Sequence, residues 1–257
     1  MRKLDLNAIY ISERVQETLR PVSVSALTAV VAPMGYGKTT AINWFLNQRK
    51  QTENAVILRV NIYSDNHSIF WKSVQNAFRF AGFNFLEEYE CPSDLASGGL
   101  FADDLSHLLA GETDYYIFID DFHLLTDARI GDFFCTLAKR IPDNIHIIVA
   151  SRDRFLSGGA VVGLGGKLHQ ITVDHLRLNH TELSIYSNLC GTELNDRQIE
   201  SLLHSSEGWF SAVYLNLCSF AERGELPDDH SDIYEMFSAA MIDPLPEKQR
   251  EFLIVLG

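Results

Sequence analysis

The sequence predicts a three-layer α/β fold built on a parallel sheet and followed by an all-helical region. Three observations lead there. Short apolar runs at 26–31, 55–61, 115–120 and 145–150 lack the polar/apolar alternation of half-exposed strands, as strands buried on both faces do. Between them lie stretches with the 3.6-residue apolar period of helices. That alternation of strand and helix indicates a parallel sheet, and beyond about residue 176 only helical patterns remain.

Composition sets the outer bounds. The chain has 257 residues, enough for one large domain or two small ones with a substantial core. It is 46% hydrophobic and 21% charged, an ordinary soluble profile. No stretch approaches the ~20 apolar residues needed to span a bilayer. Arg2 and Lys3 are not followed by an apolar core, so no secretory signal is read. Cys91, Cys135, Cys190 and Cys218 lie far apart and form no C-x-x-C pair, which fits buried thiols of a cytoplasmic protein. With 21 Lys and Arg against 34 Asp and Glu, the formal charge is −13. The basic residues are scattered, so this segment is expected not to bind DNA.

Residues 1–25 form a lead-in with a weak helical pattern from Ser12 to Leu19. Ala26 to Val31 is the first strand. Ala32-Pro33-Met34-Gly35-Tyr36-Gly37-Lys38-Thr39-Thr40 then fits the phosphate-loop pattern G-x-x-x-x-G-K-[ST], except that Ala32 replaces the first Gly. Thr40 to Leu46 has the apolar spacing of a helix. Strand, glycine turn and helix start together aim backbone N–H groups and a positive dipole end at one point, where a triphosphate fits. ATP or ADP is therefore the expected ligand, cradled by residues 32–40, in a P-loop NTPase fold. Lys38 is expected at the β/γ phosphates and the Thr39 hydroxyl on Mg²⁺. Ala32 is tolerable if its φ stays negative, while Gly35 and Gly37 permit close backbone approach.

Ala55 to Asn61 supplies the next strand. Phe70, Trp71, Val74, Ala77, Phe78 and Ala81 share one face of a helix over 68–81, with Gly82 to cap it. A helix over 94–110 follows. Tyr115 to Asp121 is then an apolar strand ending in two acids. A Mg²⁺–nucleotide site needs a carboxylate at such a strand end. Asp120 is placed to hold the metal through water, and Asp121 to polarise the attacking water. Asp is shorter than the Glu of vigorous ATPases, so slow turnover is expected. His123, after the acids, reads as a packing or supporting group.

A helix over 128–140 buries Phe133, Phe134 and Leu137, and Pro142 follows it. Ile145 to Ala150 is a strand followed by Ser151-Arg152, where Arg152 is placed to sense a γ-phosphate by bidentate hydrogen bonding. The glycine-rich stretch 157–167 reads as a mobile connection or weak helix, and Gln170 to Val173 as the strand that closes the sheet. His67, His107, His146, His169 and His175 show no metal spacing. Trp44 and Trp71 read as core residues.

In the helical part, Asn179 with Glu182 and Asn195 with Gln198 make capping-box starts. Ile199, Leu202 and Leu203 follow the second, with Gly208 as its stop. Further helices are read at 209–223, 232–241 and 246–256. The last leaves Phe252 to Leu256 with nothing to pack on, the pattern of a fragment of a longer chain.

Taken together, these residues resemble the MalT-like, LuxR-type transcription activators within the signal-transduction ATPases with numerous domains (STAND). The resemblance is carried by Ala32 to Thr40 with Trp44, Asn61 to Asn66 with Phe70, Asp120 to Leu125, Ser151-Arg152, Asp174 to Leu178 with Glu182, and Glu207-Gly208-Trp209 with Ala212 to Leu215. It implies a nucleotide-binding domain over 1–176, a helical domain over 177–240 and the start of a winged-helix domain over 241–257. It also implies a switch: ADP holds a resting monomer, and ATP with an inducer favours self-association. The inducer would act through a sensor domain absent from this chain. DNA would be bound by an equally absent C-terminal helix-turn-helix. The family has Pro after Gly-Trp, packing on the nucleotide; this chain has Phe210 there, which is therefore a candidate nucleotide contact. The Pro usual after Ser-Arg is also missing.

Three function classes follow. The leading one is a nucleotide-dependent regulatory switch with weak ATPase activity. A motor or remodelling ATPase of the same fold is the alternative, which a Glu at position 121 would favour. A scaffold that binds nucleotide without hydrolysis is the third. The GTP-reading N-K-x-D and T-K-x-D motifs do not occur.

Overall fold

A computed structural model describes residues 9–52, 54–92, 94–223 and 226. The chain divides into two compact units, Ile11–Leu176 and the remainder, Met1–Tyr10 with Arg177–Gly257. The expected helices at 232–241 and 246–256, and the expected winged-helix start at 241–257, lie outside the described residues.

The first unit holds a five-stranded sheet of β1 (Leu27–Val31), β2 (Ala55–Asn61), β3 (Asp114–Asp120), β4 (Ile145–Ser151) and β5 (Leu168–Thr172). All pairings are parallel, in the order β2-β3-β4-β1-β5. The chain leaves β1 to build the sheet on one side, then crosses back over β1 to place β5 on the other. This reversal puts a crevice at the carboxyl end of β1, where parallel α/β sheets bind ligands. β4 is buried along its whole length, as a central parallel strand should be.

Helices cover both faces. α1 (Glu13–Leu19) and α2 (Lys38–Thr52) pack on Val30, Tyr116, Phe118, Ile148 and Ala150. α3 (His67–Phe80), α4 (Leu95–Leu108), α5 (Ala128–Arg140) and α6 (Gly158–Leu164) lie over Leu58, Ile117, Ile119, Ile147 and Val149. α3 buries Phe70, Trp71, Val74, Ala77 and Phe78, the face its period predicts, and Asn66 caps it on the Ile69 N–H at 3.1 Å. Among the described residues no helix is long and apolar enough to cross a membrane.

One segment settles an open alternative of the sequence reading and another departs from it. The glycine-rich stretch contains a true helix, α6, started by the Ser157 hydroxyl on the Ala160 N–H and anchored by buried Leu164. β5 begins at Leu168, two residues early, and Val173 already opens the short α7 (Val173–Leu176). An edge strand carrying the exposed Gln170 gives only a weak apolar signal. Trp44 is half-buried, whereas Trp71 is in the core.

Beneath α2 a buried histidine sets a pH limit on the fold. His146 is 1% exposed, and its Nδ1 lies 3.0 Å from the Ser25 carbonyl. Its ring stacks on Tyr116 at 4.8 Å, and Nε2 is buried without a hydrogen-bond partner. A charged ring would bury a second N–H with no acceptor. Burial is therefore the main force holding its pKa below the ordinary value, against the Ser25 carbonyl, Asp114 and Asp143; Arg49 reinforces it. Below about pH 6.5 the unfolded chain takes up this proton and the folded chain does not. Stability should thus be full above that pH and fall as pH drops, at up to about 1.4 kcal/mol per pH unit from this site. Urea unfolding midpoints between pH 7.5 and 5.5 test this. His146→Phe should flatten the dependence, and an unchanged slope would remove His146 as the cause.

The second unit is helical: α8 (His180–Leu189), α9 (Asp196–Ser206) and α10 (Phe210–Arg223). Both expected capping boxes form. Asn179 and Glu182 exchange 2.9 Å bonds, and Asn195 and Gln198 exchange bonds of 2.9 and 3.0 Å. The turn after α9 requires glycine. Gly208 has φ 73°, its carbonyl accepts from the Leu178 N–H at 2.9 Å, and a Cβ there would meet the Leu178 oxygen at 2.3 Å. Leu183, Tyr186, Ile199, Leu202, Val213 and Leu217 form the core of this unit.

Candidate functional site

The phosphate loop spans the end of β1 and the start of α2. Gly35 and Gly37 take φ of 82° and 78°, values for which other residues are strained. Ala32 is not among the described residues with positive φ. Its methyl is buried in the core under α2, and its N–H donates to the Ser151 carbonyl at 3.3 Å. Alanine therefore suits that position. Lys38 opens α2, and its ammonium donates to the Ala32 carbonyl at 2.6 Å and the Pro33 carbonyl at 2.9 Å. An ammonium has three donors, so one remains for a ligand oxygen. Thr39 and Thr40 are exposed at the helix start.

Burial lowers the Lys38 pKa; the Asp120 carboxylate opposes it, Arg152 adds to it, and Asp121 opposes it more weakly. Both acids and Arg152 thus lie within electrostatic reach of Lys38, brought together from the ends of two strands and the start of one helix. Phe210 lies in the second unit, its ring 4.7 Å from that of Tyr186 at the start of α10.

Asp120 ends β3 half-buried, and its carboxylate accepts the Asp121 N–H at 3.0 Å. Asp121 then adopts a left-handed conformation, φ 55° and ψ 37°, at the start of a 3-10 turn over Phe122–Leu124. Among the described residues only Asp121 and Glu207 do so without being glycine. Backbone strain of this kind persists where the surroundings over-determine it, often at functional sites. The two adjacent acids differ in exposure, Asp120 half-buried and Asp121 59% exposed. Ser151 is buried, its hydroxyl accepts the Asp153 N–H at 3.3 Å, and Arg152 projects into solvent.

His123 packs beside the acids. Its side chain is 11% exposed, with Nδ1 4.0 Å from an Asp121 oxygen and no hydrogen-bond partner. Burial and then Arg152 hold the ring below its ordinary pKa, against Asp121. A neutral imidazole thus stands beside the exposed acid. The loops flanking the site are also tied. Asp65 accepts from the Thr126 N–H at 2.9 Å and hydroxyl at 2.5 Å, and His67 lies 3.1 Å from Asp127. Arg129 holds the Asp127 carboxyl down to about 2. The only sequence signal for this tie is an Asp at a helix start; its partners are some sixty residues away.

Strand, positive-φ glycine loop, helix and strand-end acids in this sheet order define a P-loop NTPase fold. In sequence the chain is similar to MalT regulators. It is 24% identical over 279 aligned residues to the HTH-type transcriptional regulator MalT of Vibrio campbellii, covering 96% of this chain and 29% of the relative. It is 23% identical over 230 to that of Yersinia enterocolitica, covering 83% and 24%. The chain thus spans under a third of these relatives' length. No family model matches it. The same fold is seen in a STAND protein with a tetratricopeptide repeat sensor from Pyrococcus horikoshii, with TM-score 0.59, 16% identity, and 96% of this chain and 34% of that one covered. A Walker-type ATPase of Pyrococcus abyssi gives TM-score 0.58 and 12% identity, with 97% and 78% covered.

Proposed function

We propose that this chain is the ATP/ADP-binding switch module of a cytoplasmic transcriptional regulator, with weak ATP hydrolysis. The observation that carries the reading is the convergence of Lys38, Asp120, Asp121 and Arg152 on a loop whose two glycines hold positive φ. Residues 32–40 cradle the phosphates with backbone N–H groups, and Lys38 adds a point charge. Thr39 and Asp120 offer a hydroxyl and a carboxylate, the hard oxygen donors that Mg²⁺ takes beside phosphate and water. Mg²⁺, when bound, offsets the charge of the β and γ phosphates. Asp121 orients a water, with neutral His123 beside it. Arg152 meets the γ-phosphate. The short Asp121 suits slow hydrolysis, hence a timed switch rather than a motor.

MalT is an HTH-type transcriptional regulator by name. We extend that role to this chain as the part that reads nucleotide and self-associates in the ATP state. An inducer and DNA would be bound by other segments. Purified chain should carry ADP and remain monomeric, and a non-hydrolysable ATP analogue should promote association. A chain that neither retains nor binds adenine nucleotide would end this reading. Within it, Arg152→Ala should weaken the ATP analogue roughly tenfold or more, the worth of a charge-assisted bond, and spare ADP. Calorimetry with both ligands decides; equal weakening would make Arg152 structural.

A further inference from the structure

The sheet has a second opening beside the phosphate loop. Ala29 and Val31 of β1, with Gln170 and Thr172 of β5, alternate with Val30 and Ile171, which pack under α2. By the two-residue period they face the opposite side. There α6 and the loop after β4 leave a cleft of about 550 Å³. Its floor includes Val31, Phe155, Leu156 and Val161. Gly158 also lines it, and a Cβ at Gly158 would meet nothing within 4 Å. The volume lies within the range of small-molecule sites, which are mostly apolar with a few placed polar groups.

The charge at its mouth is unbalanced. Arg152 and Arg154 both line the cleft and are exposed, against the single carboxylate of Asp174. Neither guanidinium hydrogen-bonds or pairs with a carboxylate among the described residues. An apolar floor under two uncommitted guanidinium groups suits a molecule with an apolar body and an anionic end.

The cleft also adjoins the phosphate site. Ala32, Pro33 and Arg152 line both. The Phe155 ring lies 4.8 Å from Phe122, the residue directly after the left-handed Asp121. The Phe155 carbonyl sits where a Cβ on Gly131 would come within 2.9 Å, so this loop is pressed on α5 and has little room to yield that way. A ligand that displaces Phe155 or engages Arg152 therefore acts on groups that also border the phosphates.

We propose that this cleft binds a small organic anion with an apolar or aromatic body, and that its occupancy changes nucleotide affinity. The binding stands on the cleft alone; the coupling rests on the nucleotide role proposed above. The probe pair is 8-anilinonaphthalene-1-sulfonate and its neutral analogue N-phenyl-1-naphthylamine, titrated by fluorescence with and without ADP. The sulfonate should bind one site about tenfold tighter than the neutral dye, the worth of one charge-assisted bond. Arg154→Ala should remove most of that difference. Val161→Trp, which fills the cleft, should weaken both dyes, with circular dichroism confirming that each variant folds. Equal affinity for the two dyes, folded variants that bind as well as the parent, or complete displacement by ADP would each overturn the site. Linkage requires that dye and ADP change each other's affinity by the same factor. A factor of one would overturn the coupling while leaving the site intact. Dye binding to a chain that takes up no nucleotide would refute the switch reading alone.

Discussion

Lys38→Ala should lower the affinity for ATP and for ADP roughly 10- to 150-fold, the worth of one charge-assisted contact of about 1.5–3 kcal/mol. The estimate depends on where the ammonium sits. Lys38 is half-buried, and burial lowers its pKa against the pull of Asp120. A charge kept in so restricted a place is kept by its partners, here the Ala32 and Pro33 carbonyls and the two acids. Those carbonyls face the loop, so the same side chain both shapes the loop and offers a donor to phosphate. Lys38→Arg should rescue little, because a planar fork cannot replace a compact ammonium between two carbonyls. Calorimetric titration with each nucleotide measures the effect, and thermal melting separates it from a change in the fold. Unchanged affinity in a folded Lys38→Ala chain would remove Lys38 from the phosphate site and, with it, the main support for the nucleotide reading.

What could be read from the sequence was local. Residues 32–40 carry the whole loop in nine positions, and Asp120 with Asp121 closes a single apolar strand, so neither needs a fold to be noticed. Asn179 with Glu182 and Asn195 with Gln198 mark helix starts because both bonds of a capping box span three residues. What was missed depends on distant partners. The period of β1 cannot say that β4, not β2, lies beside it. The pairing of Asp65 with Thr126, and of Phe155 with Phe122, arises only once β2, β3 and β4 end at the same edge of the sheet. Stretch 157–167 left a mobile connection and a weak helix both open, because glycine is a poor helix former. It is helical because Ser157 caps it and Leu164 is buried against the sheet. His123 was legible as a packing or supporting residue near the acids, but its unpartnered ring nitrogen is a property of the assembled core.

The acids should separate in function when each is neutralised. Asp121→Asn should bind ATP almost as the parent does and hydrolyse it about 10²–10⁴-fold more slowly, the usual contribution of a positioned proton acceptor. Asn is the informative substitution because Asn, like Asp, tolerates the left-handed conformation at this turn, φ 55° and ψ 37°. The backbone, and with it Phe122 and His123, stays in place, whereas a larger or β-branched residue would confound chemistry with strain. Asp120→Asn should instead lose the Mg²⁺-dependent part of nucleotide binding, while its amide oxygen still accepts the Asp121 N–H that sets the turn. The contrast follows from the geometry, since one carboxylate is half-buried at the strand end and the other is turned outward beside a neutral imidazole. Single-turnover hydrolysis and calorimetry with and without Mg²⁺, made on both variants, give the two readouts. If both lose nucleotide affinity equally and hydrolyse at the same residual rate, the two acids act as one charged patch and the division of roles between them is wrong.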